Sequence, residues 1–237
     1  MKIKYILLSA AALCIPIFAA SGCNPSFTHL VETQTPTTET GAAGLPQKGS
    51  YQPESACDNP YYPRRAGTKT QTGSDGSVIT ATTSISGDVN NATATVTTTS
   101  PDGVDVRIYE CSSDGILWTE WKLYDADKQV MSTLSYYGVF FPSAEQFKIG
   151  AKWEYSVVTH KDLDSGWVES ETKRNCTVAG TSSVQYLGQF VDALRVDCVN
   201  EVKDLKASDE AALENYYDLY SFFYVYGVGI VGYRASE

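Results

Sequence analysis

From Ser77 onward the chain alternates apolar or β-branched residues with polar ones at a period of two. Ser77–Ile85 and Ala92–Thr97 show it most plainly, the pattern of strands with one wet face. The same period marks further strands at Val104–Cys111, Ile116–Tyr124, Gln129–Phe141, Lys152–Thr159, Trp167–Val178, Phe190–Val202, Tyr216–Tyr226 and Ile230–Arg234. Turn signals separate them: Ser74-Asp75-Gly76, Pro101-Asp102-Gly103, Ser113-Asp114-Gly115 and Asp164-Ser165-Gly166. Strands joined by such short turns pair antiparallel. One helical stretch competes, Asp209 to about Tyr217, with Ser208 as N-cap and Asp209 and Glu210 in its first turn. The expected fold class is all-β and antiparallel, with at most one short helix.

The N-terminus has a different pattern. Lys2 and Lys4 precede a mostly apolar run from Tyr5 to Phe18, followed by the small residues Ala19 to Gly22. A basic start, an apolar stretch of this length and a small-residue cleavage site make a secretory signal over residues 1–22, too short for a spanning helix. Ala20-Ser21-Gly22-Cys23 resembles the lipobox of bacterial lipoproteins, with Ala20 where Leu is commoner. That resemblance implies cleavage before Cys23, a diacylglyceryl thioether on its sulfur, and a cell-envelope address. Ordinary cleavage leaving Cys23 a free thiol is the competing outcome. Asn24, where Asp would hold a proteobacterial lipoprotein at the inner membrane, resembles the pattern of outer-membrane delivery if the host is Gram-negative.

Charge narrows the partners. The formal net charge is −10, and loss of Lys2 and Lys4 with the signal makes it two units more negative. An acidic surface argues against nucleic acid and against electrostatic adhesion to anionic lipid. Membrane attachment is therefore left to acyl chains on Cys23, each buried CH₂ contributing roughly 0.8 kcal/mol. Residues 23–56 read as the lipidated cysteine and a tether. Thr33–Gly41 and Pro46–Ser50 are rich in Thr, Pro, Gly and Gln and show no apolar period. As a coil the tether would span roughly 30 Å. His29 falls within it.

The remainder divides into two similar β units, 57–142 and 143–237. Tyr61–Lys69 echoes Phe147–Tyr155, and Ser113–Trp118 echoes Tyr226–Tyr233. The phrases F-K-I-G-A-K-W-E-Y and Y-G-V-G-I-V-G-Y resemble the opening and closing motifs of a loose group of uncharacterised bacterial surface lipoproteins. What the resemblance implies is two curved-sheet or half-barrel units packed together, similar to half-barrel lipoprotein carriers. It brings no catalytic residues.

With Cys23 acylated, four cysteines remain in an exported chain that meets an oxidising compartment. Four allow three pairings. Cys176 and Cys198 lie on two strands joined by a turn expected near Gly180 to Gly188, each in phase with apolar neighbours, so they form the natural pair. Cys57 with Cys111 follows by exclusion.

Other chemistry is sparse. Asp164-Ser165-Gly166 matches the D-[ST]-G of aspartic proteases, but the sequence holds no second copy, so it reads as a hairpin turn. His160 has no nucleophile motif beside it and reads as a strand-end surface residue. Asp125 and Asp127 lack the calcium-loop pattern. No catalytic, cofactor or metal set is expected.

The aromatic density near the C-terminus is the feature closest to function. Tyr216, Tyr220, Phe222, Tyr224 and Tyr226 share one face of a strand, and Tyr217, Leu219, Phe223 and Val225 the other. This is either a central strand covered on both sides or a contact surface for an envelope protein or an apolar ligand. The function expected is a non-enzymatic, membrane-anchored binding or scaffolding protein. The alternative is a carrier of an acyl chain in a half-barrel cavity.

Overall fold

The computed structural model describes residues 51–72, 76–125, 128–164, 166–208 and 213–236. The signal, Cys23, His29 and the tether up to Ser50 lie outside the described residues.

The fold is all-β and antiparallel. Two short strands, β1 (Asp58–Asn59) and β2 (Tyr62–Pro63), pair with each other. The rest of the chain forms one open sheet. Its first half holds β3 (Gly67–Thr72), β4 (Val78–Gly87), β5 (Asn91–Ser100), β6 (Gly103–Ser112) and β7 (Gly115–Asp125). Next come β8 (Lys128–Gly138) and the short β9 (Phe141–Pro142). The second half holds β10 (Lys152–Leu163), β11 (Gly166–Tyr186), β12 (Gln189–Ala207), β13 (Asn215–Val225) and β14 (Gly229–Ser236). Across the sheet the order is β14-β13-β12-β11-β10-β8-β7-β6-β5-β4-β3, with β9 added beside β7.

The sheet runs on without a break across position 142, where β8 pairs with β10. Gly138 ends β8 there at φ 80°, and a Cβ would lie 2.3 Å from the Glu154 carbonyl, so only glycine fits. The echoed motifs take matching places. Tyr61–Lys69 and Phe147–Tyr155 lead into β3 and β10, and the rings of Tyr61 and Phe147 touch at 4.7 Å. Ser113–Trp118 and Tyr226–Tyr233 hold the β6–β7 and β13–β14 turns.

Alternation decides what is buried. Ala92, Ala94 and Val96 of β5 face the core, while Thr93, Thr95 and Thr97 face out. One core runs along the inner face from β5 to β13. It is completed by side chains from outside the long strands: Cys57 and Tyr62 from the N-terminal segment, and Phe140, Phe141 and Phe147 from the stretch between β8 and β10. A smaller cluster of Tyr186, Val191, Ala193 and Val225 sits apart at the far end of β11–β14.

Two disulfides fix this arrangement. Cys176 and Cys198 face each other across β11 and β12, with Cα atoms 4.1 Å apart. Cys57–Cys111 clamps the N-terminal segment onto β6. For loops of 22 and 54 residues, the chain-entropy account assigns roughly 3 and 4 kcal/mol.

Four expectations change. Asn215–Tyr217, the end of the helical candidate, is strand: Tyr216 pairs with Val202 and Tyr217 with Glu201, so cross-strand packing overrides the capping signal. Asp209–Ala212 lie outside the described residues. The turn placed near Gly180 to Gly188 is confined to Leu187 and Gly188. β11 passes Gly180 through a bulge and pairs with β12 out to Tyr186 and Gln189. β3 is an additional strand whose Thr-Lys-Thr composition hid it. Tyr51–Ala56, read as the end of the tether, pack on the domain. The Tyr51 hydroxyl donates to the Asp58 carboxylate, the Glu54 amide donates to Asp58 at 3.0 Å, and Ser55 is buried.

Candidate functional site: an aromatic interior lined with guanidinium groups

Phe140 occupies the middle of the core, with ring contacts to Tyr62, Tyr109, Trp118 and Tyr155 at 5.2–5.7 Å. Phe141, Phe147 and Tyr224 form an adjoining group. Trp118 and Trp121 both face inward although three residues apart. A bulge opposite Ile108 and Tyr109 adds one residue to β7 and resets its phase.

Three arginines enter this aromatic interior. Arg107, on the inward phase of β6, forms a two-pronged pair with Asp105 at 2.9 and 2.8 Å and lies over Trp121 and Trp118. Trp121 Nε1 donates to the same carboxylate at 3.1 Å. Arg64, half-buried, lies over Tyr62 and Tyr109 and donates to the Tyr62 hydroxyl. Arg174 on β11 is 5% exposed; its Nε donates to Asn200 Oδ1, and its guanidinium lies near the rings of Tyr155 and Phe222. Among the described residues no carboxylate lies within ion-pair distance of Arg64 or Arg174. Asn200 is fully buried, and its Nδ2 has no hydrogen-bond partner among the described residues.

A cavity of about 20 Å³ lies beside Arg174. Its walls include Tyr62, Phe140, Tyr155, Phe222, Tyr224 and the Cys176–Cys198 bridge. Burial pushes the Tyr62, Tyr155 and Tyr224 hydroxyls above the ordinary phenol range, so all three keep their protons at any ordinary pH.

The aromatic face picked out in the sequence divides along β13. Phe222 and Tyr224 are buried and belong to the core. Tyr220 packs partly against that core, and Tyr216 is half-buried further along the strand. Tyr226, just past the strand, sits edge-on to Tyr51 and Tyr61. On the opposite face Tyr217 and Leu219 are exposed, with Val199 opposite Leu219.

The other candidates are scattered. His160 lies inside β10 and not at a strand end, because the strand continues to Leu163. It stacks on Trp167, with its nitrogens 3.5 Å from Asp162 and 3.7 Å from Glu169. Asp164 lies in the β10–β11 turn and Asp125 ends β7, while Ser165 and Asp127 are outside the described residues. Among the described residues no three His, Cys, Asp or Glu side chains gather as a metal site.

The sequence reading passed over Arg107, Arg174 and Asn200. The signal was present: Arg107 is in phase with Tyr109 and Cys111, and Arg174 with Cys176 and Val178, so each is a polar residue on an apolar phase.

No family model, no curated protein and no solved structure matches the chain.

Proposed function

We propose that this chain is a lipid-anchored envelope protein, processed before Cys23, whose folded part binds a partner at its surface without catalysis. The observation that carries the binding reading is an exposed apolar patch on the outward face of the sheet. A ligand pocket for a drug-sized or larger apolar molecule runs to about 300–1,000 Å³. The cavity beside Arg174 is about 20 Å³, room for one water-sized atom. That cavity by itself is too small for an acyl chain. The patch joins Tyr217, Leu219 and Val199, which are 68%, 47% and 39% exposed, on the outward face of β12 and β13. Two disulfides fit an exported protein.

The double variant Tyr217→Ser, Leu219→Ser is expected to keep the wild-type melting temperature to within about 2 °C, because exposed positions cost little. It is expected to lose the partner that co-purifies from native envelopes, read by native mass spectrometry. Full retention of the partner would refute the patch as the contact.

The anchor has its own test. Wild type is expected to incorporate a clickable fatty-acid analogue, and Cys23→Ala to incorporate none and leave the membrane fraction or remain unprocessed. Absence of label on wild type would remove the anchor reading while leaving the patch untouched.

A further inference from the structure

Donors and acceptors are out of balance around the small cavity. Arg174 brings a cationic guanidinium, a hydrogen-bond donor only. Its one hydrogen-bond partner among the described residues is Asn200, and no carboxylate lies within ion-pair distance there. Tyr155 and Tyr224, 5% and 6% exposed, line the same cavity and make no hydrogen bond among the described residues. The remaining walls are Tyr62, the disulfide and aromatic rings. Nearby, Arg64 and Arg107 add two more cations, with Asp105 the single carboxylate paired among the three. Burying a charge without a counter-charge is costly, and ring contacts return only part of that cost.

We propose that this cavity binds one small inorganic anion of halide size, held by the Arg174 guanidinium and the hydroxyls of Tyr155 and Tyr224. Charge, chemistry and volume agree on this class. An anion supplies the missing negative charge and accepts from every donor in the wall. A water molecule could donate to the phenol oxygens, but it carries no charge to balance the guanidinium. About 20 Å³ is room for one species the size of a water molecule or a halide. The site is independent of the surface patch and of the lipid anchor, since none of its residues belongs to either.

The test uses the full chain, with thermal unfolding followed while sodium chloride replaces sodium gluconate at constant ionic strength. The melting temperature is expected to rise with chloride and saturate, as binding to the folded state alone requires. Tyr224→Phe and Tyr155→Phe each delete one oxygen and keep the ring. Each is expected to weaken the apparent chloride affinity about tenfold or more, the usual loss for a hydrogen bond to a charged group. Arg174→Met is expected to abolish the response. Should that variant fail to fold, the two phenylalanine variants decide the matter. Crystals grown in sodium bromide are expected to show an anomalous peak within hydrogen-bond distance of Arg174. A melting temperature indifferent to the chloride–gluconate exchange, or a bromide crystal with water in the cavity, would overturn the proposal.

Discussion

Phe140→Ala is expected to destabilise the protein by about 3–5 kcal/mol, the range for truncating a large buried aromatic side chain. The melting temperature should then fall by roughly 6–20 °C, at about 2–4 °C per kcal/mol for a chain of this size. Phe140 is 8% exposed and touches the rings of Tyr62, Tyr109, Trp118 and Tyr155. Those four side chains come from β2, β6, β7 and β10. No single neighbour can relax into the space without leaving the others, so the void persists and the cost should lie high in the range. Denaturant unfolding measures it. A loss under about 1 kcal/mol would mean that the interior refills, and that Phe140 is not its keystone.

Asp105→Asn is expected to cost a similar amount, about 3–5 kcal/mol, through a different mechanism. The substitution keeps the shape of the side chain and removes its charge. Arg107, whose side chain is 8% exposed, then loses its counter-charge and one of its two bonds, now at 2.9 and 2.8 Å, and Trp121 Nε1 loses its charged acceptor. What is paid is the desolvation of a guanidinium left alone among aromatic rings. Replacing both partners removes that penalty, so Asp105→Asn with Arg107→Met should be more stable than Asp105→Asn alone. A double variant no better than the single one would show that the pair acts through shape and not charge.

The period-two pattern carried most of the fold because one face of nearly every strand meets a single core. β5 is the plainest case, with Ala92, Ala94 and Val96 inside and three threonines outside. The pairing of Cys176 with Cys198 was legible for the same reason: each sulfur is in phase with buried valines, Val178 on one strand and Val196 on the other. Legibility fails where phase is broken by the backbone. Trp118 and Trp121 face the same way only because of the bulge in β7, and nothing in that stretch of sequence marks it. β3 fails for another reason. As an edge strand it buries almost nothing, so its residues need not alternate in polarity.

The candidate site was half legible. The aromatic run on β13 pointed at the right strand, but sequence could not say where along it the core gives way to surface. That crossing depends on Phe141 and Phe147, which arrive from seventy or more residues away and cover Tyr224. The arginines were visible in phase with core residues, yet an arginine on an apolar phase becomes informative only once its partners are known. For Arg174 the partner is an amide on the next strand, and for Arg107 it is a carboxylate two residues back.

The clamp between Cys57 and Cys111 bears on how the domain carries mechanical load. A lipid on Cys23 would pull the folded part from its N-terminal side. Tension entering at Tyr51 reaches Cys57 within six residues and passes through the sulfur bridge to β6, in the interior of the sheet. Strands β1 to β5 lie inside the 54-residue covalent loop, off the line of force. The exposed edge strand β3, with the fewest buried contacts to resist peeling, is therefore never the strand that is pulled.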